Sequence, residues 1–184
     1  MRSVSASGLI ERSDELTAIE RALDAARGKE GCCAWIEGPA GIGKTTLVGE
    51  ACRMGAARGF RVLKATGVEL ERGFPFGVVR QLYEPVLRDL DPTEREALAQ
   101  GAAALFDAAA PDGGDVDLSF QVLHGLYWLV AEMAQRDLLL IAIDDAQWAD
   151  YPSLRHLLYL CRRLEGLAVI VMIAERTGEE APTS

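Results

Sequence analysis

Residues 38–45 read Gly-Pro-Ala-Gly-Ile-Gly-Lys-Thr and match the phosphate-binding pattern G-x-x-x-x-G-K-[ST] at every specified position. A glycine-rich turn that leads into a helix offers a triphosphate unpaired backbone N–H groups and a favourable dipole. Lys44 is expected to reach the β- and γ-phosphates, and the Thr45 hydroxyl to bind Mg²⁺. The alternative is an ordinary glycine-rich loop, which matches this pattern in about one sequence in a hundred. The predicted nucleotide-binding residues are Gly38, Pro39, Ala40, Gly41, Ile42, Gly43, Lys44, Thr45 and Thr46.

The segments on either side of this loop have the order that phosphate binding requires. Residues 32–37 are a short and mostly apolar run, as expected of a buried parallel strand, and residues 45–57 have the pattern of a helix. Strand, loop and helix therefore follow one another in the required order. This context favours a phosphate loop over a chance match.

Residues 138–145 form an apolar run that ends in two carboxylates, Leu-Leu-Leu-Ile-Ala-Ile-Asp-Asp. A Mg·ATP site needs such a strand opposite the phosphate loop, because the sheet directs the carboxylates at the metal. Asp144 is predicted to bind Mg²⁺ with Thr45, and Asp145 to orient the attacking water. The alternative is two aspartates in a solvated turn, and the phosphate loop elsewhere in the chain argues against it.

A further apolar run, residues 167–174, leads directly into Glu175 and Arg176. A cation at the carboxyl end of a strand in such a sheet points towards the ligand, so Arg176 is a candidate sensor of the γ-phosphate. A surface ion pair is the alternative interpretation. The candidate catalytic residues are therefore Lys44, Asp145 and Arg176.

The rest of the chain predicts packing helices and one more strand. Ser13 is the predicted N-cap of the first helix, and Asp150 is the predicted N-cap of the helix after the paired aspartates. His124 is interpreted as an ordinary helix residue and His156 as part of a solvated helix face. The aromatic stretch at residues 74–77 is interpreted as packing beneath a loop, with a partner contact as the alternative. The predicted helices span residues 13–27, 78–90, 93–110, 118–135 and 151–164, and the additional strand spans residues 61–65.

Composition is that of one soluble domain: 184 residues, 49% hydrophobic and 26% charged. A net charge of −9 argues against direct nucleic-acid contact by this chain, since phosphate contacts need clustered Lys and Arg. No apolar run reaches signal-peptide or membrane-spanning length, so a cytoplasmic protein without membrane contact is expected. The cysteines lack C-x-x-C spacing and are expected to be small buried hydrophobes rather than zinc ligands or disulfides; they are Cys32, Cys33, Cys52 and Cys161.

The phosphate loop, the string Asp-Asp-Ala-Gln-Trp-Ala-Asp at residues 144–150 and Phe-Pro-Phe-Gly at residues 74–77 together resemble a known module. They are similar to the N-terminal ATPase module of large LuxR-type transcriptional regulators, which belong to the STAND class of AAA-like P-loop proteins. The resemblance covers residues 9–176. It implies a three-layer α/β sandwich with a mostly parallel sheet, nucleotide binding at residues 38–46, Mg²⁺ at Thr45 and Asp144, and a sensor-like Arg176.

This sequence departs from the family pattern in two ways. Related modules begin with Gly-Arg where this chain has Glu11-Arg12, which weakens the prediction for the adenine end of the pocket. Family members are also longer, with a fifth core strand, a helical lid, a winged helix, a repeat-containing sensor and a helix-turn-helix. Residues 1–184 are therefore expected to be one P-loop domain of a longer regulator, with about four core strands, no lid and a disordered tail at residues 177–184.

The family strand order, 5-1-4-3-2, carries a consequence for a chain without the fifth strand. The phosphate-loop strand, residues 33–37, would then form an exposed sheet edge, and exposed edges pair with other chains. Self-association through this edge is predicted.

The leading functional interpretation is an ATP- and Mg²⁺-dependent switch with slow hydrolysis. Asp145 stands where many turnover ATPases have the longer Glu, which makes water positioning less favourable. The alternatives are a turnover NTPase or small-molecule kinase, and an interaction scaffold that binds no nucleotide. The expected partners are ATP and the remaining domains of the regulator.

Overall fold

The computed structural model describes residues 12–91, 93 and 120–177. Residues 8–11, nearly all of the predicted helix 93–110, the start of the predicted helix 118–135 and the tail from residue 178 lie outside these ranges. In chain order the described elements are α1 (Ser13–Arg27), β1 (Cys32–Gly38), α2 (Lys44–Ala57), β2 (Phe60–Thr66), α3 (Gly77–Arg88), α4 (Phe120–Arg136), β3 (Leu138–Asp144), α5 (Tyr151–Cys161) and β4 (Val169–Arg176).

The four described strands form one parallel sheet in the order β1-β4-β3-β2. This is the predicted family order for strands one to four, so the predicted α/β fold class is confirmed. β1 is hydrogen-bonded to β4 on one side, and no other strand in the described ranges pairs with its outer edge. Self-association through that edge stays a prediction.

Helices cover both faces of the sheet and make a three-layer sandwich. α1 and α2 pack on one face, and α3, α4 and α5 pack on the other. β3 and β4 are buried on both faces, which explains why their sequences are almost continuously apolar. Each fully buried aliphatic side chain stabilises the fold by roughly 1.5–3 kcal/mol. The deepest core residues include Leu23, Val48, Leu126, Leu129, Ile141 and Val171.

Two predictions about helix starts have different outcomes. Ser13 is not the cap of α1: Arg12 occupies the N-cap position, and its carbonyl accepts the N–H of Leu16 at 3.1 Å. Asp150 is the N-cap of α5, as predicted, and its carboxylate accepts the N–H of Ser153 at 2.9 Å.

The prediction that His156 lies on a solvated helix face is wrong. Its side chain is fully buried between α5 and α3, and its Nε2 lies 2.8 Å from the hydroxyl oxygen of Tyr83. The buried stripe of α5 contains Ser153, His156, Leu157 and Leu160, which have helical spacing, so the imidazole faces the core with its apolar neighbours. The interpretation of residues 74–77 as local packing holds for Phe76, which is buried, whereas Phe74 is exposed.

Burial of His156 predicts a specific dependence of stability on pH. Desolvation lowers the pKa of His156 from 6.5 to about 3. Between these values the unfolded chain binds a proton that the folded chain does not. The free energy of unfolding therefore falls as pH drops below 6.5, by about 1.4 kcal/mol per pH unit for this group.

His156→Gln should reduce this acid sensitivity, because the amide does not titrate and can still bond to Tyr83. Urea unfolding at pH values from about 6.5 to 4 measures the slope, and the variant is expected to lose less stability than the wild type. His124→Gln, on α4, is the matched control because it leaves the buried pair in place. Equal slopes in wild type and His156→Gln would contradict the prediction.

Candidate nucleotide-binding site

The phosphate loop connects β1 to α2 across residues 39–43. Gly41 and Gly43 have φ angles of 79° and 89°, a left-handed conformation that costs other residues roughly 1–2 kcal/mol. Gly43 is also the N-cap of α2, so no capping side chain covers the first N–H groups of that helix. The loop therefore presents an open helix N-terminus, a geometry that suits a phosphate group.

Lys44 lies inside the loop rather than in solvent. It is 7% exposed, and its ammonium group donates hydrogen bonds to the carbonyls of Gly38 at 2.7 Å and Pro39 at 2.9 Å. An ammonium group has three donors, so two carbonyls do not exhaust its capacity. A buried cation held this way favours an anion beside it.

Sheet register brings the predicted acidic and basic residues to one edge. Gly38 of β1 pairs with Arg176 of β4, and Asp144 ends β3, which runs parallel on the other side of β4. Asp144 is buried, and its Oδ1 accepts the N–H of Asp145 at 3.0 Å. The carboxyl edge of the sheet therefore carries the phosphate loop, the paired aspartates and Arg176 together.

Asp145, Gln147 and Arg176 form a closed hydrogen-bonded set at this edge. Asp145 Oδ1 accepts from Gln147 Nε2 at 2.9 Å and from Arg176 Nε at 3.1 Å. Gln147 Oε1 in turn accepts the backbone N–H of Arg176 at 3.0 Å. Asp145 and Arg176 were predicted as separate site residues, and Gln147 was not predicted to belong to the site. The sequence signal that could have indicated Gln147 was its position within the string at residues 144–150, between two aspartates.

Gly67 is a second residue that sequence reasoning missed. Its N–H donates to the carbonyl of Asp144 at 2.9 Å, and a Cβ there would lie 2.3 Å from the carbonyl oxygen of Asp145. Only glycine allows the chain after β2 to approach the acidic turn this closely. Asp145 itself has a φ of 50°, an uncommon conformation for a residue other than glycine.

The Asp150 carboxylate joins the two sequence stretches that carry the family resemblance. Besides capping α5, it accepts the N–H groups of Phe76 at 2.7 Å and Val78 at 3.2 Å, and it is 3% exposed. Next to it, the Ser153 hydroxyl accepts the N–H of Val79 at 3.1 Å. The start of α3 is therefore fixed to the start of α5, directly after the acidic turn.

The residues at this edge fit a magnesium-bound nucleotide. Thr45 and Asp144 offer hydroxyl and carboxylate oxygens, the ligand type that Mg²⁺ prefers, and Mg²⁺ commonly takes few protein ligands. Within the described ranges, no group of three or more His, Cys, Asp or Glu side chains could hold a metal ion unaided. Magnesium here would therefore depend on phosphate oxygens and water as well as on Thr45 and Asp144.

A separate cavity of about 380 Å³ runs along the outer edge of β1, between that strand and α1. It meets the phosphate loop only at Ile42 and Lys44, and its lining includes the carboxylates of Glu15 and Glu37. Arg12 also lines this cavity, and its guanidinium donates to the carbonyl of Ile42.

In the parts of the chain that the structure describes, no helix is both long enough and apolar enough to cross a bilayer.

A parallel sheet with a glycine loop after β1 and an aspartate at the end of β3 defines a P-loop NTPase core. The family model described as AAA ATPase domain matches residues 8–173, and the chain belongs to that family. No curated protein matches this chain.

Solved structures match this chain at low sequence identity. The ORC2 protein of Aeropyrum pernix, in ADPNP–ADP complexes, matches with a TM-score of 0.55 and 18% identity over 91% of this chain. The match covers 41% of that protein, so this chain spans less than half of its length. Drosophila ORC bound to AT-rich DNA and Cdc6 gives a TM-score of 0.42 and 12% identity, over 95% of this chain and 54% of that chain.

Proposed function

We propose that this chain is the ATP- and Mg²⁺-binding switch module of a LuxR-type transcriptional regulator, and that it hydrolyses ATP slowly at most. Membership of the AAA ATPase domain family supports the nucleotide chemistry. The assignment to LuxR-type regulators depends on residues 144–150 and 74–77, which resemble that family and contact each other through Asp150.

Each residue at the carboxyl edge has a defined role in this proposal. The backbone of residues 38–46 and the Lys44 ammonium hold the phosphates, and Thr45 and Asp144 hold Mg²⁺. When bound, Mg²⁺ would supply positive charge that offsets the negative charge of the phosphates. The partners are ATP and the remaining domains of the regulator.

The observation that carries the switch proposal is the pairing of Asp145 with Arg176. In a turnover ATPase the carboxylate at this position must orient water, but here Asp145 Oδ1 already accepts from Arg176 and Gln147. These charge-assisted hydrogen bonds hold Asp145 in place and make its carboxylate a weaker base towards water, which favours slow hydrolysis. Arg176 could exchange Asp145 for the γ-phosphate, so that the end of β4 responds to the nucleotide bound.

Arg176→Gln tests this role through nucleotide preference. We expect the wild type to bind Mg·ATP more tightly than Mg·ADP, and the variant to lose roughly tenfold or more of that preference, since hydrogen bonds to charged groups contribute about 1.5–3 kcal/mol. Calorimetry with both nucleotides measures the change. Arg163→Gln is the matched control, because Arg163 lies between α5 and the start of β4, at the amino ends of the strands and away from the proposed nucleotide site.

The same calorimetric experiment and a steady-state ATPase assay distinguish the switch from the two alternatives, which are a turnover NTPase or kinase and an interaction scaffold. An unchanged ATP preference in Arg176→Gln would contradict the sensor role. A turnover rate well above about 1 s⁻¹ would favour a catalytic NTPase or kinase over a switch. Folded protein that binds neither nucleotide would favour an interaction scaffold.

A further inference from the structure

Two cysteines from distant parts of the chain are in direct contact on the sheet face opposite α1 and α2. Cys33 lies on β1 and Cys161 is the last residue of α5, and their Sγ atoms are 2.8 Å apart. The expectation that the cysteines are buried is wrong: Cys33 is exposed, and Cys32, Cys52 and Cys161 are only partly buried. Cys33 is exposed because it lies on an edge strand, on the face that points away from the core beneath α1 and α2.

We propose that Cys33 and Cys161 form a reversible disulfide that fastens the edge strand β1 to α5. A disulfide bond has a sulfur–sulfur distance of about 2.05 Å, so closure requires a movement of less than about 1 Å. Small side-chain rotations can supply a movement of this size. This proposal is independent of nucleotide binding.

The position of the two residues explains why the bond would matter. β1 is hydrogen-bonded only to β4 within the described ranges, so the strand that leads into the phosphate loop has support on one side. The cross-link would join positions 128 residues apart, which strongly restricts the unfolded chain. Cys33 lies about 16 Å along the strand from Gly38, so the bond would stabilise β1 without occupying the phosphate loop.

The local chemistry favours Cys33 as the first sulfur to react. Cys161 donates a hydrogen bond to Cys33, and this lowers the pKa of the Cys33 thiol and raises that of Cys161. Neighbouring Cys32 packs against the opposite core, where burial raises its pKa. Among these thiols, Cys33 therefore combines exposure with thiolate character, the two properties that reactivity requires.

With a small disulfide such as oxidised glutathione as the oxidant, the reaction balances in two exchanges. The Cys33 thiolate attacks the oxidant, breaks its S–S bond and releases one glutathione thiolate, which takes up a proton. The Cys161 thiolate then attacks the Cys33 sulfur and releases the second glutathione. Two protein thiols are oxidised to one disulfide, and one glutathione disulfide is reduced to two thiols.

Oxidation of the folded 184-residue chain with oxidised glutathione tests the proposal. We expect two of the four thiols to disappear and peptide mapping without reductant to recover Cys33 joined to Cys161. The melting temperature should rise by roughly 5–15 °C, and dithiothreitol should reverse the rise. A link through Cys32, a link only between chains, or a Cys33–Cys161 link without a rise in melting temperature would overturn the proposal.

Single variants identify the resolving cysteine. In Cys161→Ser, Cys33 should stop at the mixed disulfide with glutathione and the melting temperature should not rise. Cys52→Ser, on α2, is the matched control and should respond like the wild type. If Cys161→Ser does not fold, Cys33→Ser should keep all three remaining thiols free of an intramolecular link; an intramolecular link in that variant would contradict the assigned pair.

Discussion

Asp150→Ala is expected to destabilise the fold by about 3–5 kcal/mol, a loss large enough to unfold many domains of this size. The carboxylate is buried and accepts three backbone N–H groups, from Phe76, Val78 and Ser153. Alanine would leave these donors without their acceptor, and it would remove the cap of α5 and the link between α5 and α3. Each buried donor without a partner costs about 1–3 kcal/mol, although such costs are not additive.

The matched variant is Asp150→Asn, which keeps the shape and one acceptor oxygen. It should lose clearly less stability than Asp150→Ala, because the amide oxygen can still accept from two of the three donors. Urea unfolding followed by circular dichroism measures both variants. A loss below about 1 kcal/mol in Asp150→Ala would show that the carboxylate does not hold the two helices together.

Lys44→Ala is expected to weaken Mg·ATP binding by about two orders of magnitude. The Lys44 ammonium is held inside the phosphate loop by the carbonyls of Gly38 and Pro39, and a charge-assisted contact with phosphate contributes about 1.5–3 kcal/mol. Saturating Mg·ATP should raise the melting temperature of the wild type by mass action and leave that of the variant almost unchanged.

The control for this experiment is Lys64→Ala, which removes an exposed lysine of β2 with the same change in net charge. Its thermal response to Mg·ATP should match that of the wild type. An equal response in Lys44→Ala would contradict the proposed phosphate contact. Circular dichroism without nucleotide shows whether Lys44→Ala is folded before the comparison is made.

Local patterns in the sequence were sufficient for the phosphate loop, the strand that ends at Asp144 and the cap at Asp150. Each of these signals depends on residues within one turn or one strand, where backbone conformation and burial follow from neighbouring residues. The order of the strands is not a local property. It came from the resemblance to a known family and agrees with the observed sheet.

Contacts between distant residues could not be predicted in this way. The Asp150 carboxylate bonds to Phe76 across 74 positions, and His156 bonds to Tyr83 across 73. Helical periodicity puts His156 among apolar neighbours, but its polar side chain suggested a solvent-exposed position. Its hydrogen-bond partner, Tyr83, lies on another helix and cannot be identified from the local sequence pattern. The need for glycine at position 67 was also not predictable, because the backbone that a Cβ there would contact belongs to the segment after β3.

Calorimetric titration of Mg·ATP into the folded wild-type chain is the direct test of the proposed nucleotide site. We expect saturable binding at one site, because the phosphate loop, Lys44 and Asp144 lie together at the carboxyl edge of the sheet. Folded wild-type protein that gives no binding heat at any of several temperatures would contradict a nucleotide site formed by these residues.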